Sequence, residues 1–130
     1  MLIEKLIELH GLENAKKVLL SVARELAKQV PSIAQISDIK ERTYALIKIL
    51  NDLGFDATLQ QEKGKLVIIR KNCIWHEVAK YPNLACEVFD NEFLKTCLGG
   101  TDTELRGCIA KGDSCCENLV LKKFKQPMRN

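Results

Sequence analysis

The sequence predicts a single α+β domain: an antiparallel sheet built from two β-hairpins, with helices packed on one face, preceded by an N-terminal helical segment. Two observations favour this class. Apolar residues recur at three- and four-residue steps in the first half of the chain, which is typical of helices with one buried face. Helical stretches are then twice followed by two short strand-like runs with a glycine-containing turn between them. A length of 130 residues fits one such domain.

Three helices are expected before the first strand. Residues 2–9 and 12–29 form the first two, and the second has the clearer amphipathic pattern. Its predicted buried face consists of Leu12, Ala15, Val18, Leu19, Val22, Leu26 and Val30. Because an amphipathic helix must bury its apolar side, we also expect a homodimer through this N-terminal segment. The third helix begins after a cap at Ser37 or Asp38 and ends near Gly54.

The first hairpin is predicted where the apolar period changes from helical to alternating. Residues 55–59 alternate between apolar and polar types, and residues 66–69 form a short β-branched run. Gly64 lies in the turn between them, where a positive φ is favourable for glycine. Two helices, over residues 73–80 and 84–98, follow this hairpin.

The second hairpin is predicted from two strands over residues 103–110 and 116–121. If Gly112 is the centre of a three-residue loop, Cys108 lies directly opposite Cys116. Residues that face each other on neighbouring antiparallel strands have Cβ atoms about 4.5–5.5 Å apart and point to the same side of the sheet. The hairpin therefore offers two adjacent thiols.

Six cysteines in a chain without a secretion signal indicate a reducing compartment, and we expect the cytoplasm. Clustered cysteines there bind metals or act in catalysis more often than they form disulfides. Cys73 begins a predicted helix, where the helix N-terminus stabilises a thiolate, and Cys86 lies near the start of the next helix. Together with Cys108 and Cys116 they offer four thiolates, which suit tetrahedral zinc and equally suit an iron–sulfur cluster.

The remaining candidates rank below these four cysteines. Cys115 points to the opposite face of the predicted hairpin and would replace Cys116 only if the register slipped by one residue. His76 follows Cys73 by three positions, so a Cys-x-x-His pair for zinc is conceivable. Cys97 is assigned to core packing. The alternative for every cysteine is burial as a small apolar side chain.

Composition argues against several classes of protein. The net charge of +3 is too small to indicate direct nucleic-acid binding, and the apolar stretches are shorter than the roughly 18 residues of a membrane span. No nucleophile–base pair or convergent carboxylate pair stands out, so we do not expect an enzyme. The expected organisation is a helical linker or dimerisation segment over residues 1–30, a cysteine-rich domain over 31–122 and a basic tail over 123–130.

Three segments of the chain form a pattern that resembles a known family. They are NDLGFDATLQQEKGKLVIIRKNC, CIWHEVAKYPNLAC and CIAKGDSCC, with twelve residues between Cys73 and Cys86 and seven between Cys108 and Cys116. From about residue 38 to residue 120 the chain resembles the C-terminal sensor domain of SufR-type winged-helix transcription regulators. It is also similar to 4-vinyl-reductase-like ligand-binding domains.

The resemblance implies that the four cysteines hold an iron–sulfur cluster whose state controls DNA binding. For the vinyl-reductase-like relatives it implies a small apolar ligand, sometimes with zinc nearby. Only about 30 residues precede the matching region, and they show no winged helix, so a separate DNA-binding protein or domain is the expected partner. The sequence thus predicts a regulatory sensor domain in transcription. The alternative is a zinc-stabilised module that binds a small hydrophobic molecule.

Overall fold

The sheet of this protein has four strands and is described here from a computed structural model. The structure describes residues 2–30, 33–72 and 83–122. The strands are β1 (Ala57–Glu62), β2 (Lys65–Arg70), β3 (Thr103–Gly107) and β4 (Cys116–Val120). They are hydrogen-bonded in the order β1-β2-β4-β3, and every neighbouring pair is antiparallel. The two predicted hairpins therefore join side by side through β2 and β4, and the predicted α+β class is confirmed.

The helices lie where the apolar pattern predicts them. They are α1 (Leu2–His10), α2 (Leu12–Lys28), α3 (Ile39–Asp52) and α4 (Asn91–Cys97). The predicted helix over residues 84–98 is a composite, because a π-helical segment, Asn83–Asp90, leads directly into α4. A short 3-10 turn, Ile33–Gln35, occupies part of the predicted loop before α3. The helix predicted over residues 73–80 lies outside the described residues.

Capping fixes where α3 begins. The Asp38 carboxylate accepts a hydrogen bond from the Glu41 backbone N–H at 2.9 Å, as the sequence predicts for an N-cap. At the C-terminal end of α3, the side-chain amide of Asn51 hydrogen-bonds both the N–H and the carbonyl of Ala57, the first residue of β1. The strand predicted from residue 55 therefore begins at Ala57.

The turn of the first hairpin matches its prediction. Glu62 pairs with Lys65, and the two residues between them have φ angles of 49° (Lys63) and 81° (Gly64). Two consecutive positive φ angles are the signature of a type I′ turn, which suits the twist of a two-residue hairpin.

The second hairpin departs from its prediction. The strand expected to run to residue 110 ends at Gly107, after a register shift between Leu105 and Gly107. The chain then forms a 3-10 turn, Ile109–Lys111, and Gly112 follows with a φ of 101°. The predicted three-residue loop is therefore wrong, because a wider turn forms in place of three further strand pairs. The last pair, Gly107 with Glu117, still has the predicted register, so an extension by one pair would oppose Cys108 to Cys116.

The main core lies between the sheet and the helices α3 and α4. Its fully buried members come from all of these elements and include Leu46, Leu50, Leu66, Ile68, Leu94 and Val120. Alternation along β2 and β4 places one side of the sheet in this core. The predicted packing of helices on the sheet is thus confirmed.

Helix α2 buries only part of the predicted face. Its buried residues are Ala15, which belongs to that face, and Ala23 and Ala27, which do not. The larger apolar residues of the predicted face are largely exposed: Leu12 (48%), Val18 (40%), Val22 (44%) and Leu26 (44%). Small side chains let two helices approach closely, and α2 packs against α4 and the π-helical segment with this alanine face. Among the described residues, no helix is both long enough and apolar enough to cross a bilayer.

Candidate metal centre

Three of the four predicted cysteines meet inside the protein. Cys86, Cys108 and Cys116 are 1%, 2% and 3% exposed and pack together in a cluster separate from the main core. Leu105 and Ile109 cover this cluster as partly buried neighbours. Its thiols come from the π-helical segment, from the residue between β3 and the 3-10 turn and from the first residue of β4. We call Cys86, Cys108 and Cys116 the thiol cluster.

Two predicted candidates lie outside the described residues. Cys73 was expected to be the fourth thiolate and His76 a second-choice ligand, and both belong to residues 73–82, which the structure does not describe. The structure shows the convergence of the other three thiols.

The backbone around Cys108 is fixed by a compact set of hydrogen bonds. The Cys108 N–H donates to the Asp113 carboxylate at 2.8 Å. Its carbonyl accepts from the N–H groups of Lys111 at 3.0 Å and Asp113 at 3.1 Å. Gly112 allows this turn to close because its φ of 101° is in the left-handed region, which favours glycine. The turn holds Cys108 close to Cys116 although the two do not form a strand pair.

The sulfur of Cys116 accepts a hydrogen bond from the backbone. The Ile109 N–H donates to Cys116 Sγ at 3.2 Å. A hydrogen bond to the charged form of a thiol favours the thiolate, and hydrogen bonds to sulfur also tune iron–sulfur clusters.

In the absence of a bound cation, the surroundings of Cys86 favour its protonated thiol over the thiolate. Burial raises the pKa of the Cys86 thiol well above its ordinary value, and the hydrogen bond with Cys108 raises it further. At neutral pH Cys86 is therefore a neutral thiol until a cation displaces its proton. Metal binding at this cluster should accordingly release protons and weaken as the pH falls.

A buried arginine borders the thiol cluster. Arg70 is 2% exposed, and its Nη1 donates to Asp90 at 2.7 Å while its Nη2 donates to Asn118 at 2.8 Å. Burial lowers the pKa of Arg70, but the Asp90 carboxylate outweighs this effect, and the net shift is upward. The thiolates of Cys116 and Cys86 act in the same direction as Asp90. A positive charge therefore lies close enough to stabilise thiolates in the cluster.

Sequence reasoning missed Arg70. It ends the apolar run of β2, and Leu66, Ile68 and Arg70 have the same parity along the strand. Since alternate residues of a strand point to the same face, the pattern placed a charged residue on the buried side. That charge required a buried partner, which Asp90 supplies from the last position of the π-helical segment.

The donor atoms suit a soft metal, but they are not arranged as a finished coordination shell. Thiolates select zinc and iron–sulfur clusters over hard cations. Within residues 2–30, 33–72 and 83–122, no three His, Cys, Asp or Glu side chains already have a geometry that holds a metal ion. A bound metal would require the thiols of the cluster to turn towards a common centre and a further ligand to join them.

The other two described cysteines lie apart from the cluster. Cys115 is half-buried, and its Sγ lies 3.8 Å from a carboxylate oxygen of Glu117, which pairs with Arg106 at 2.9 Å. Cys97 belongs to the main core, as predicted, and is 1% exposed. Burial raises the pKa of Cys97 to about 11, and the nearby Arg42 opposes this shift.

A cavity of about 210 Å³ has Arg70 and Asp90 among its lining residues. Its walls are almost entirely apolar and include the three rings of Phe55, Phe89 and Phe93. Two lining residues, Leu26 (44% exposed) and Leu53 (52% exposed), mark its mouth. The Arg70 side chain thus lines the cavity and is also close to Cys86 and Cys116 of the thiol cluster.

Comparisons with known proteins do not assign the chain to a family. No protein-family model matches it, and no curated protein matches it significantly.

Proposed function

We propose that this protein is a regulatory sensor domain whose thiol cluster, together with Cys73, binds an iron–sulfur cluster or a zinc ion. The observation that supports the proposal is the convergence of three buried thiols from three separate elements of the fold. Four cysteine thiolates are the ligand set that both groups use.

Simple apolar packing explains less of the cluster than metal binding does. Packing alone accounts for the burial of the three cysteines. It does not require the Ile109 N–H to donate to Cys116 Sγ, nor a buried guanidinium beside the thiols. Both features lower the free energy of a thiolate, and thiolates are the form that binds metal.

When bound, the metal or cluster would cross-link the π-helical segment, the turn after β3 and the start of β4, and an iron–sulfur cluster would add sensitivity to oxidants. Helix α2 could pass such a change outward. It packs on the π-helical segment and α4, and Arg24 on α2 pairs with Glu92 on α4 at 2.8 Å. A regulatory effect requires the metal to bind one arrangement of these elements more tightly than another.

The proposal includes a homodimer through the N-terminal helices. Val18, Val22 and Leu26 follow one another at four-residue steps on α2, and each is at least 40% exposed. A second copy would remove this apolar stripe from water. Regulation of transcription would then use a DNA-binding partner protein or domain. None of the five described cysteines forms a disulfide, so the proposed location is a reducing compartment such as the cytoplasm.

Purification under anaerobic conditions, followed by metal and sulfide analysis, tests the proposal. A brown protein with iron and inorganic sulfide in stoichiometric amounts supports the cluster. A colourless protein with one zinc per chain supports the zinc site. A chain that takes up neither group after reconstitution with iron and sulfide or with zinc contradicts both.

A second candidate is a zinc-stabilised module that binds a small hydrophobic molecule. The cavity of about 210 Å³ is the observation that favours it. In this version the thiol cluster has a structural role, and the cavity carries the function.

A further inference from the structure

A short turn packs against the thiol cluster. It is the 3-10 turn Ile109–Lys111, which follows Cys108 directly and precedes Gly112. Ile109 lies against the cluster as a partly buried neighbour, and its N–H donates to Cys116 Sγ at 3.2 Å. The turn therefore contacts sulfur-bearing residues that are at most 3% exposed.

The hydrogen bonds within this turn are local. The Cys108 carbonyl accepts from the N–H groups of Lys111 at 3.0 Å and Asp113 at 3.1 Å. The Cys108 N–H in turn donates to the Asp113 carboxylate at 2.8 Å. Because these bonds join residues of the same turn, they can persist while the turn moves relative to the other two thiols of the cluster.

An ion pair ties the far end of the turn to the segment that carries Cys86. Lys111 is the last residue of the turn, Glu87 follows Cys86 in the π-helical segment, and their side chains pair. Both side chains are partly exposed, at 45% and 40%. The hydrogen bond with Glu87 raises the pKa of Lys111, and the thiolates of Cys108 and Cys86 act in the same direction. The ammonium group is thus a surface charge close to two of the sulfurs.

Buried thiols can react only after part of the structure opens. Local opening costs less free energy than global unfolding when it breaks few buried contacts. Movement of the turn breaks the Ile109 contacts with the cluster and the Lys111–Glu87 pair. Neither Ile109 nor Lys111 belongs to the main core, so this opening leaves that core intact.

We infer that the Ile109–Lys111 turn is a lid over the thiol cluster and that the Lys111–Glu87 ion pair is its latch. The latch then sets how often metal ions and small reagents reach the three sulfurs. The inference deepens the proposed metal centre by assigning the control of metal uptake and release, and in this respect it rests on that proposal. Access to the sulfurs themselves is measured without metal.

Alkylation of the reduced, metal-free full chain by iodoacetamide measures this access, and peptide mass spectrometry gives a rate for each cysteine. Lys111→Met removes the latch and should speed the alkylation of the three cluster thiols about two- to fivefold, the range that an exposed ion pair can supply. Loss of a nearby positive charge would by itself slow the reaction, because it disfavours the reactive thiolates. Faster alkylation therefore reports opening of the lid.

Cys97 and Lys95 provide the controls. Cys97 is 1% exposed in the main core, so its alkylation reports global unfolding and should keep its wild-type rate. Lys95→Met breaks another exposed ion pair, with Asp102 at 3.1 Å, and should leave the cluster thiols at their wild-type rates. The double variant Lys111→Glu with Glu87→Lys reverses the latch and should restore slow alkylation.

A second measurement follows zinc. Lys111→Met should take up zinc, and release it to a chelator, faster than the wild type by a similar factor. Unchanged or slower alkylation of the cluster thiols in this variant overturns the lid, and so does an equal acceleration at Cys97. Faster alkylation in a chain that binds no metal supports the lid and removes the metal centre, whereas zinc binding with unchanged alkylation does the reverse.

Discussion

Arg70 on β2 lies directly opposite Cys116 on β4 in the antiparallel register of the sheet. This pairing brings Arg70 close to the thiol cluster, and the same side chain lines the apolar cavity. Asp90, which balances its charge, lies four residues after Cys86 in the π-helical segment. π-Helical turns are rare and occur often at functional sites, and this one supplies Cys86 to the thiol cluster and Asp90 to the ion pair with Arg70.

Removal of the Arg70 side chain should strongly destabilise the fold. Arg70→Met leaves the buried Asp90 carboxylate without its cation and Asn118 without its donor. Breaking a buried ion pair in this way costs about 3–5 kcal/mol of unfolding free energy. Urea unfolding followed by circular dichroism measures the loss.

Arg106→Met is the matched control for this variant. Arg106 also bonds two acceptors, Glu62 at 2.8 Å and Glu117 at 2.9 Å, but these pairs lie at the surface. Exposed ion pairs contribute little to stability, so this variant should unfold close to the wild-type urea midpoint. Equal losses of unfolding free energy in the two variants would show that the buried network around Arg70 contributes no more to stability than the surface ion pairs of Arg106.

The turn between Cys108 and Cys116 should matter for metal binding as well as for stability. Gly112→Ala places a Cβ at a φ of 101°, which costs about 1–2 kcal/mol for an L-residue. The strain acts on the turn that fixes the Cys108 backbone, so the affinity for zinc should fall too. Competition with a chromophoric chelator measures that affinity.

Gly64→Ala provides the comparison in the other hairpin. Gly64 has a φ of 81°, and, as at Gly112, a Cβ added there would meet no atom within 4 Å. The variant should lose a similar amount of stability and keep its zinc affinity. A parallel loss of affinity in both variants would mean that metal binding follows global stability and not the Cys108 turn.

The sequence was sufficient to predict the elements but not their ends. Local signals determine where helices and strands form, and Asp38, Gly54 and the Lys63–Gly64 turn have the roles that their residue types favour. The early end of β3 was not predictable in this way, because the register shift near Arg106 arises from pairing with β4. A bulge has no strong local signal in one strand alone.

Alkaline pH should destabilise the metal-free protein, partly through Cys97. The pKa of this thiol rises from an ordinary value of 9.0 to about 11 in the folded state. Between these values only the unfolded chain releases the proton, so stability is intact below pH 9 and falls as the pH rises. The contribution of Cys97 reaches about 2 kcal/mol near pH 11.

Urea unfolding at a series of pH values in the presence of a chelator measures this dependence. Cys97→Ala should reduce the slope of unfolding free energy against pH above pH 9, whatever its effect on stability at pH 7. A slope that matches the wild-type slope would show that the Cys97 thiol does not titrate in the way its burial implies.

The exposed stripe on α2 should hold two copies of the chain together. Val22→Lys places a charge in the middle of Val18, Val22 and Leu26, and it should convert a dimer into a monomer in sedimentation velocity experiments. Ser21→Lys adds the same charge at the neighbouring exposed position and should leave the dimer intact. A wild-type chain that sediments as a monomer at all concentrations contradicts the proposed dimer.

The candidate site was predictable in part, and the reasons differ from residue to residue. The proximity of Cys108 and Cys116 was predictable because a hairpin pairs positions that are close in sequence. Cys86 joins them through the packing of the π-helical segment, and the cavity arises where α3, α4 and the sheet meet. Such contacts depend on the packing of distant elements, which the periodicity of a single segment does not contain. For the same reason, periodicity did not reveal that α2 buries Ala23 and Ala27 while its larger apolar residues stay largely exposed.

Metal content across a series of single serine variants tests the central claim most directly. Zinc, or iron with sulfide, should be lost in Cys86→Ser, Cys108→Ser and Cys116→Ser, and retained in Cys97→Ser and Cys115→Ser. Cys115→Ser is the sharpest control, because it alters the residue next to Cys116 and leaves the thiol cluster intact. Full metal retention in Cys116→Ser, or loss in Cys115→Ser alone, would contradict the proposed centre.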